Sequence, residues 1–295
     1  MTLARRLLDW YRRHGRTLPW RNIRDPYRIL VSELMLQQTQ VSRGLIFYPR
    51  WLARFPDWKT LAAASNADVI EAWAGLGYNR RALMLRDIAK AVVTKGAPTS
   101  AEGWQALKGI GPYTAAAIAC FSLHERVLPI DTNIRRVLGR VLLGIPFPQP
   151  SDDEAIQENL DRVLPRQAFH DVPQALFDLA TIACKKSPDC ASCPLRSTCP
   201  CAPGFLAGTY PIPKQMVKKA TESRHRNKPH PDRIYRGRLL KHVREQKTVK
   251  IDAGLGKTID PSYAHAHDFE WLQAIAQRLI TEGFLKKENR ILRLR

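Results

Sequence analysis

Apolar side chains recur every three or four residues along most of the first two hundred positions of this chain. The segment 26–36, PYRILVSELML, shows the pattern clearly, and it is preceded by Asp25, a residue type that caps helix starts. Turn-forming residues interrupt the pattern at 55–57, 75–78, 96–98 and 109–112. Alternation of the strand type is nearly absent. The pattern therefore predicts an all-helical region through about residue 201.

The composition changes after Cys201. Prolines, glycines and a run of basic residues between 202 and 233 are typical of a linker, because such a stretch cannot bury much apolar surface. Apolar positions at helical spacing then return in two stretches, and a polar tip, KKENR at 286–290, lies between two short apolar runs. This order of helix, helix and basic hairpin predicts a winged-helix-like α+β domain over 234–295; a generic α+β appendage is the alternative.

The charge balance narrows the range of partners. The 295 residues contain 47 Lys and Arg against 27 Asp and Glu, for a net charge of +20. Such an excess favours nucleic acid as a partner, with an anionic membrane surface as the second choice. No apolar run approaches a membrane span, and the N-terminal stretch lacks the features of a secretory signal. We expect a cytoplasmic, nucleoid-associated protein that works as a monomer.

Four cysteines within sixteen residues form the strongest single chemical signal. Cys184, Cys190, Cys193 and Cys199 are separated by five, two and five residues. Thiolates so closely spaced in a reducing compartment predict a metal site, either a tetrahedral zinc or an iron–sulfur cluster. Spacing alone does not separate the two, and Cys201 is a possible substitute for Cys199.

Two carboxylates are candidates for chemistry. Glu33 lies on the largely apolar face of the helix predicted at 26–36, where burial raises the pKa of an acid towards the range useful for proton donation. From the helix alone, a structural role in which the side chain reaches water or pairs with an arginine is the favoured interpretation. Asp131 precedes a basic helical segment and is interpreted either as a plain helix cap or as a carboxylate that stabilises a cationic sugar.

A glycine turn lies between these carboxylates in the sequence. Gly109 and Gly111 flank Ile110, and Pro112 suits the first turn of the following helix. Backbone N–H groups exposed at such a turn can bind a phosphate, although an ordinary corner between helices is the simpler interpretation. Gln37, Gln38 and Gln40 on the Glu33 helix, and Tyr78 after GLG, are candidates for contacts with bases.

Taken together, these segments resemble the helix-hairpin-helix DNA glycosylases, specifically the MutY-type adenine glycosylases. The resemblance extends over about residues 15–200. It consists of LPWR at 18–21, SELMLQQTQV at 32–41, GLGY at 75–78, LKGIGPYTAAAI at 107–118, DTNIRRV at 131–137 and the four cysteines. It implies an all-α fold of two lobes. A six-helix barrel would span 22–130, and a cluster-bearing lobe would combine 1–21 with 131–201, followed by the linker 202–233 and the small domain 234–295.

The resemblance also implies roles for individual residues. Glu33 would protonate the departing adenine, and Asp131 would stabilise an oxocarbenium-like sugar, with Asn133 beside it. Tyr113 stands where lyase-competent relatives such as endonuclease III carry a lysine, so no imine is expected and the enzyme would be monofunctional. The remaining implied assignments are a base pocket formed by Trp20, Arg21, Leu36 and Val41; contacts with mispaired double-stranded DNA from Gln37, Gln38, Tyr78, Gly109 and Gly111; and a [4Fe-4S] cluster on Cys184, Cys190, Cys193 and Cys199.

The chain departs from the family pattern in several places. The first cysteine gap is five residues rather than the usual six, Thr132 replaces a glycine, and GLGYN replaces GLGYY. Residues 202–295 are too short for the Nudix-like domain that usually recognises 8-oxoguanine. We expect removal of adenine mispaired with guanine or 8-oxoguanine. The alternatives are a thymine or uracil–guanine mismatch glycosylase, which typically lacks an acid at the Glu33 position, and a non-catalytic DNA-binding protein.

Overall fold

The computed structural model describes residues 2–213, 223–225 and 228–295. Part of the predicted linker, including Lys218 and Lys219, therefore lies outside the described residues. The chain divides into two compact units, one formed by residues up to 48 and from 94 to 213, the other by residues 49–93 and the described residues from 223 onwards. The domain boundaries expected from the sequence stay predictions. No helix among the described segments is long and apolar enough to cross a membrane.

The first unit is helical, and its helices begin where the sequence provides caps. Asp25 accepts a hydrogen bond from the Tyr27 N–H at 2.9 Å, and Pro26 occupies the first helical position. The helices are α1 Leu3–His14, α2 Pro26–Leu36, α3 Val41–Arg54, α7 Ala101–Gln105, α8 Pro112–Ile118, α9 Thr132–Leu142, α10 Asp153–Glu158, α11 Leu160–Val163, α12 Asp171–Ile182 and α13 Ala202–Leu206.

The core of the first unit forms where α1, α9 and α12 pack together. Each of these helices places apolar residues on one face: Leu7 and Trp10 of α1, Ile134 of α9, and Leu176 and Leu179 of α12 are all buried. This packing holds the N-terminus of α9, and with it Asp131, at a defined position in the fold.

The predicted glycine turn joins α7 and α8. The Ile110 N–H donates to the Leu107 carbonyl at 3.0 Å, and Ile110 itself is buried. Gly109 has φ +96°, a left-handed backbone that favours glycine. Gly111 caps α8 with an extended backbone, and both glycines are exposed. The helix continues as a π-helical turn over Ala119–Leu123 and ends at His124, whose φ is +55°.

The second unit combines three helices of the central region with the C-terminal domain. Its helices are α4 Trp58–Ala63, α5 Asn66–Trp73, α6 Arg80–Lys95, α14 Asp232–Gln246, α15 Ala253–Ile259 and α16 His265–Thr281; its strands are β1 Val249–Lys250, β2 Leu285–Glu288 and β3 Ile291–Leu294. The strands form an antiparallel sheet in the order β1-β3-β2.

The predicted helices and hairpin of the C-terminal domain are present. Tyr235 and Leu239 of α14 are buried, as are Leu272 of α16 and Leu285 and Leu292 of the hairpin. The structure adds α15 and β1, which the sequence pattern did not indicate. With these two elements the order becomes helix, strand, helix, helix and hairpin, which completes the winged-helix arrangement.

Polar contacts attach this domain to α5. The Asn66 side-chain amide donates to the Gly283 carbonyl at 2.6 Å, and Lys247 forms an ion pair with Glu71 at 2.6 Å. Inside the domain, the buried Lys228 ammonium lies 2.6 Å from Asp260 and 2.7 Å from Asp268. Lys228 therefore belongs to the folded domain, which we call the C-terminal module and define as residues 228–295.

Candidate active site

A cavity of about 320 Å³ lies in the first unit and collects most of the predicted site residues. Glu33 enters it from α2, Tyr113 from the first turn of α8, and Asp131 and Asn133 from the start of α9. Apolar and polar side chains complete the wall. The remaining lining residues are Arg16, Leu18, Trp20, Arg21, Ile29, Ser32, Leu36, Gln37, Thr39, Val41, Phe121, Gln174, Phe177 and Thr181.

Glu33 lies in surroundings that favour its neutral form. Its neighbours on α2, Ile29, Leu30 and Leu34, are buried, and Glu33 itself lines the cavity. Burial raises the pKa of Glu33 to about 7, and the negative charge of Asp131 adds to the rise, while a hydrogen bond from Tyr113 lowers it. Glu33 is therefore able to carry a proton near neutral pH and to release it.

Asp131 is held in place by hydrogen bonds to both of its carboxylate oxygens. One oxygen accepts the backbone N–H groups of Asn133 at 2.8 Å and Ile134 at 2.7 Å, and the other accepts the Asn133 side-chain amide at 2.7 Å. Asp131 is thus the N-cap of α9, as one of the two sequence interpretations stated. The cap and the cavity wall are the same residue, so the two interpretations do not exclude each other.

Tyr113 connects the two acids. Its side chain hydrogen-bonds Glu33, and burial together with the charges of Glu33 and Asp131 raises the pKa of the phenol well above its usual value of 10.0. The hydroxyl is therefore protonated at neutral pH and donates to the Glu33 carboxyl. A phenol in this position has no amine with which to attack a sugar carbon.

The structure reveals a functional residue that sequence reasoning missed. Asp178 of α12 is fully buried and accepts two hydrogen bonds from the Arg21 guanidinium, at 2.8 and 2.7 Å. It also accepts the Arg16 backbone N–H at 2.8 Å and the Arg16 guanidinium at 2.6 Å. Burial alone raises the pKa of Asp178, but the hydrogen bonds from Arg21 and Arg16 outweigh burial and lower it.

This ion pair fixes the segment that carries the predicted base pocket. Trp20 and Arg21 lie in the cavity wall, and both are largely buried. The Trp20 ring meets the Tyr48 ring edge-on, with centroids 5.5 Å apart. Because Arg21 is bound to Asp178, its guanidinium acts as a rigid part of the wall. The sequence signal for this pairing was an acid within an otherwise apolar helix face, ALFDLA at 175–180.

Other predicted residues are distributed unevenly. Leu36, Gln37 and Val41 line the cavity, whereas Gln38, with φ +54°, is exposed outside its lining. Gly109 and Gly111 are exposed at the α7–α8 turn, away from the cavity lining. Tyr78 belongs to the second unit, where it is 59% exposed and has φ +49°. An exposed aromatic ring on a left-handed backbone is an uncommon combination.

The four cysteines gather around a second, small cavity of the first unit. Cys184, Cys190, Cys193 and Cys199 all line it, and Cys201, although buried, does not. The buried Arg140 guanidinium lies 3.4 Å from the Cys184 sulfur and 4.4 Å from the centre of the Phe205 ring. Within the described ranges, no three His, Cys, Asp or Glu side chains are arranged to hold a single metal ion.

Comparison with known proteins decides the family. The sequence profile of the HhH-GPD superfamily of base excision DNA repair proteins matches residues 31–165, which include Glu33, Tyr113 and Asp131. An adenine DNA glycosylase of Mycobacterium tuberculosis is 35% identical over 278 residues, covering 92% of this chain and 84% of the relative. One of Mycolicibacterium smegmatis is 36% identical over 296 residues, covering 95% of this chain and 92% of the relative. The chain belongs to the adenine DNA glycosylase family.

Solved structures agree on the fold of this adenine DNA glycosylase. A thermostable thymine-DNA glycosylase superposes with a TM-score of 0.63 at 24% identity, covering 68% of this chain and 94% of that one. The predicted all-α helix-hairpin-helix glycosylase fold is therefore confirmed, and so is the prediction of a DNA N-glycosylase of base excision repair.

Proposed function

We propose that this adenine DNA glycosylase hydrolyses the N-glycosidic bond of adenine paired with guanine or 8-oxoguanine in double-stranded DNA. The observation that carries the proposal is the pairing of two acids in one cavity. Glu33 has a pKa raised to about 7, and Asp131 is a hydrogen-bonded carboxylate near enough to influence it. A pair of carboxyl groups, one of them an acid with a raised pKa, is the usual arrangement for breaking a glycosidic bond.

Glu33 serves as the general acid. Adenine is a poor leaving group unless one of its ring nitrogens is protonated, and a protonated carboxyl in a desolvated wall can make that transfer. The proton moves from the Glu33 carboxyl to the base while the bond between the base nitrogen and the sugar carbon breaks. The hydrogen bond from Tyr113 then stabilises the Glu33 carboxylate that remains.

Asp131 stabilises the sugar. Departure of the base leaves positive charge on the sugar ring, and a carboxylate nearby lowers the energy of that state. Three N–H donors from Asn133 and Ile134 hold the carboxylate in place, so little reorganisation is needed during reaction. Water then attacks the sugar carbon and loses a proton, which returns to the Glu33 carboxylate directly or through solvent, and the products are an abasic site and free adenine.

The reaction ends with hydrolysis in this proposal. Tyr113 provides a phenol at the position where an imine-forming lysine would be needed, so the enzyme is monofunctional and leaves the abasic strand intact. Trp20, Arg21, Leu36 and Val41 enclose the base, supported by the rigid pairing of Arg21 with Asp178.

Double-stranded DNA with a mispair is the proposed partner. The target nucleotide leaves the stack to enter the cavity, and Gln37, Gln38 and Tyr78 contact the bases that remain. The N–H groups around Gly109 and Gly111 bind the phosphate backbone, which is supported by the exposure of this turn and by the net charge of +20. We expect a monomer acting in the cytoplasm on nucleoid DNA.

A [4Fe-4S] cluster is the proposed occupant of the four-cysteine cavity. Burial raises the pKa of Cys193 to about 12, and burial followed by repulsion from Cys199 and Cys184 raises the pKa of Cys190. A bound metal centre would relieve that repulsion. Cys184, Cys190, Cys193 and Cys199 would hold the cluster, which would stiffen the loop 184–199 without taking part in hydrolysis.

One assay tests the reaction. Duplexes carrying A:8-oxoguanine, A:G, T:G and U:G pairs are treated with enzyme and then with hot alkali, which cleaves abasic sites. Cleavage of the adenine strand only after alkali supports the proposal. Excision restricted to T:G or U:G duplexes would overturn it, and an inert wild-type protein that binds duplex would point to a non-catalytic role.

A further inference from the structure

The hairpin of the C-terminal module carries two exposed cations. It turns at Asn289 and Arg290, with Asn289 in the left-handed region at φ +57°, the geometry of a tight two-residue turn. Lys287 on β2 and Arg290 at the turn are both exposed. We call these two the hairpin cations. Among the residues that the structure describes, neither of the hairpin cations forms an ion pair.

Several basic residues on α14 and directly after it differ in this respect. Arg236 pairs with Glu282, Lys241 and Arg244 each lie 3.8 Å from the same Glu245, and Lys247 lies 2.6 Å from Glu71. These cations have an acid within ion-pair distance, whereas the hairpin cations add uncompensated positive charge to the surface of the module.

A groove adjoins the hairpin cations. It has a volume of about 290 Å³ and runs between α16 and the sheet, where Lys287 faces Gln273 and Gln277. The two glutamines lie one helical turn apart and are both exposed, so their amides project together. Ala274 between them keeps the groove open. The two amides and the Lys287 ammonium therefore offer hydrogen-bond donors and positive charge in one groove.

The module is attached to the part of the chain that carries Tyr78. Asn66 and Glu71, its polar attachment points, lie on α5, and the loop 75–78 follows this helix directly. The module is also shared with the mycobacterial adenine DNA glycosylases. The matches cover 92% and 95% of this chain, so they must include most of residues 228–295.

We infer that the C-terminal module is a second DNA-binding surface, in which the hairpin cations and the Gln273–Gln277 groove contact the sugar-phosphate backbone of duplex DNA. The inference rests on the proposed function and extends it. The surface provides affinity and takes no part in bond breaking. Lysine and arginine neutralise phosphates, and glutamine amides donate to phosphate oxygens.

The chemistry of the surface favours duplex DNA over other polyanions. Single-stranded nucleic acid is usually bound through stacked aromatic rings, and the groove lining contains none. A membrane surface would require a larger apolar area than Ile291, which is 37% exposed beside the turn. Contacts limited to the DNA backbone do not depend on the DNA sequence. A repair enzyme needs this property because it must act at mispairs in any sequence.

The test compares charge-matched double variants of the full-length protein. Lys287→Ala/Arg290→Ala removes two hairpin cations, and Lys241→Ala/Arg244→Ala removes two cations of α14 that face Glu245. Binding to a mispair-free duplex and to an A:G duplex, each in two unrelated sequences, is measured over a series of salt concentrations. Excision is measured in single turnover at saturating enzyme, and circular dichroism checks the folding of each variant.

We expect the hairpin variant to bind both duplexes roughly tenfold more weakly at low salt and to reduce the slope of log K against log salt by about 2, since each lost phosphate contact removes about 0.9. The control variant keeps the wild-type slope, and all three proteins keep the same single-turnover rate. Gln273→Ala/Gln277→Ala weakens binding without changing the slope, because neutral amides release no counterions.

Two results would overturn the inference. A hairpin variant with the wild-type slope would show that the module does not meet DNA. Equal losses in the hairpin and control variants would show a general effect of net charge. Binding is measured on a duplex without a mispair, so these outcomes do not depend on whether adenine is excised. Failure of the proposed reaction would appear separately, in the excision assay.

Discussion

The Tyr113 hydroxyl donates a hydrogen bond to the Glu33 carboxyl inside the cavity of the first unit. This hydrogen bond and burial have opposite effects on the pKa of Glu33. The desolvated wall favours the neutral form of Glu33, while the phenol favours its carboxylate, and the balance leaves a pKa of about 7. An acid balanced in this way can release a proton to a base and then be protonated again by solvent.

The rate of excision is expected to depend on pH through Glu33. Above pH 7 the protonated fraction of Glu33 declines, so the single-turnover rate should fall about tenfold for each pH unit. Single-turnover assays between about pH 6 and pH 9 at constant ionic strength measure the profile. A rate that stays constant across this range would show that Glu33 is not the proton donor.

Removal of the phenol hydroxyl should move that profile. In Tyr113→Phe the donor that lowers the pKa of Glu33 is lost, so the pKa rises and the alkaline limb shifts to higher pH. At pH 7 the protonated fraction can increase at most about twofold, from half to all, so any larger change reflects loss of carboxylate stabilisation in the transition state. Thr114→Ser, on the same helix but outside the cavity lining, is the control.

Glu33 should reduce the stability of the native state at neutral and alkaline pH. Its pKa is raised from 4.5 to about 7 by folding, so below pH 4.5 it is neutral in both states and above pH 7 it is charged in both. Glu33→Gln should therefore raise the free energy of unfolding by about 1 to 3 kcal/mol above pH 7, given about 1.4 kcal/mol per pKa unit and partial solvation through the cavity.

The gain from Glu33→Gln should disappear as the pH falls from 7 towards 4.5. Urea unfolding at both ends of this range provides the comparison. An equal gain at the two pH values would indicate a packing effect instead of relief from a buried charge.

Asp178→Asn should destabilise the first unit. The substitution leaves the buried Arg21 guanidinium without its carboxylate, and breaking one partner of a buried ion pair costs about 3 to 5 kcal/mol. Excision should slow as well, because the wall containing Trp20 and Arg21 loses its anchor. Asp161→Asn is the matched control, since the Asp161 side chain that pairs with Arg126 is 90% exposed. Thermal unfolding and single-turnover excision of both variants make the comparison.

Substitutions of Cys199 and Cys201 should have different effects on the iron content of the protein. Cys199→Ser should lose bound iron and the visible absorption of a cluster, because Cys199 lines the four-cysteine cavity. Cys201→Ser should retain both, since Cys201 lies outside that lining. Iron content and absorption spectra of the purified variants decide, and a colourless wild type containing zinc would contradict the cluster proposal.

Local signals in the sequence were sufficient to predict most of the helices, α15 excepted, and to mark Glu33 and Asp131 as candidates. The Asp25–Pro26 start, the apolar face around Glu33 and the glycine turn before Tyr113 are each encoded within a few neighbouring residues. The pairing of Asp178 with Arg21 is not encoded in this way, because the partners are 157 residues apart: the apolar neighbours of Asp178 indicate burial but do not identify Arg21 as its partner. The short strand β1 also lacked a local signal, since it is defined by pairing of Val249 with Leu292.

Asp131 both caps α9 and supplies the negative charge proposed to stabilise the sugar, and these two roles can be separated by substitution. Asparagine caps helices as well as aspartate does, so Asp131→Asn can keep α9 anchored while it removes the negative charge. A protein that folds normally, opens the duplex and then stalls before the bond breaks would be a capture reagent. It could hold unrepaired adenine mispairs long enough for them to be isolated and mapped.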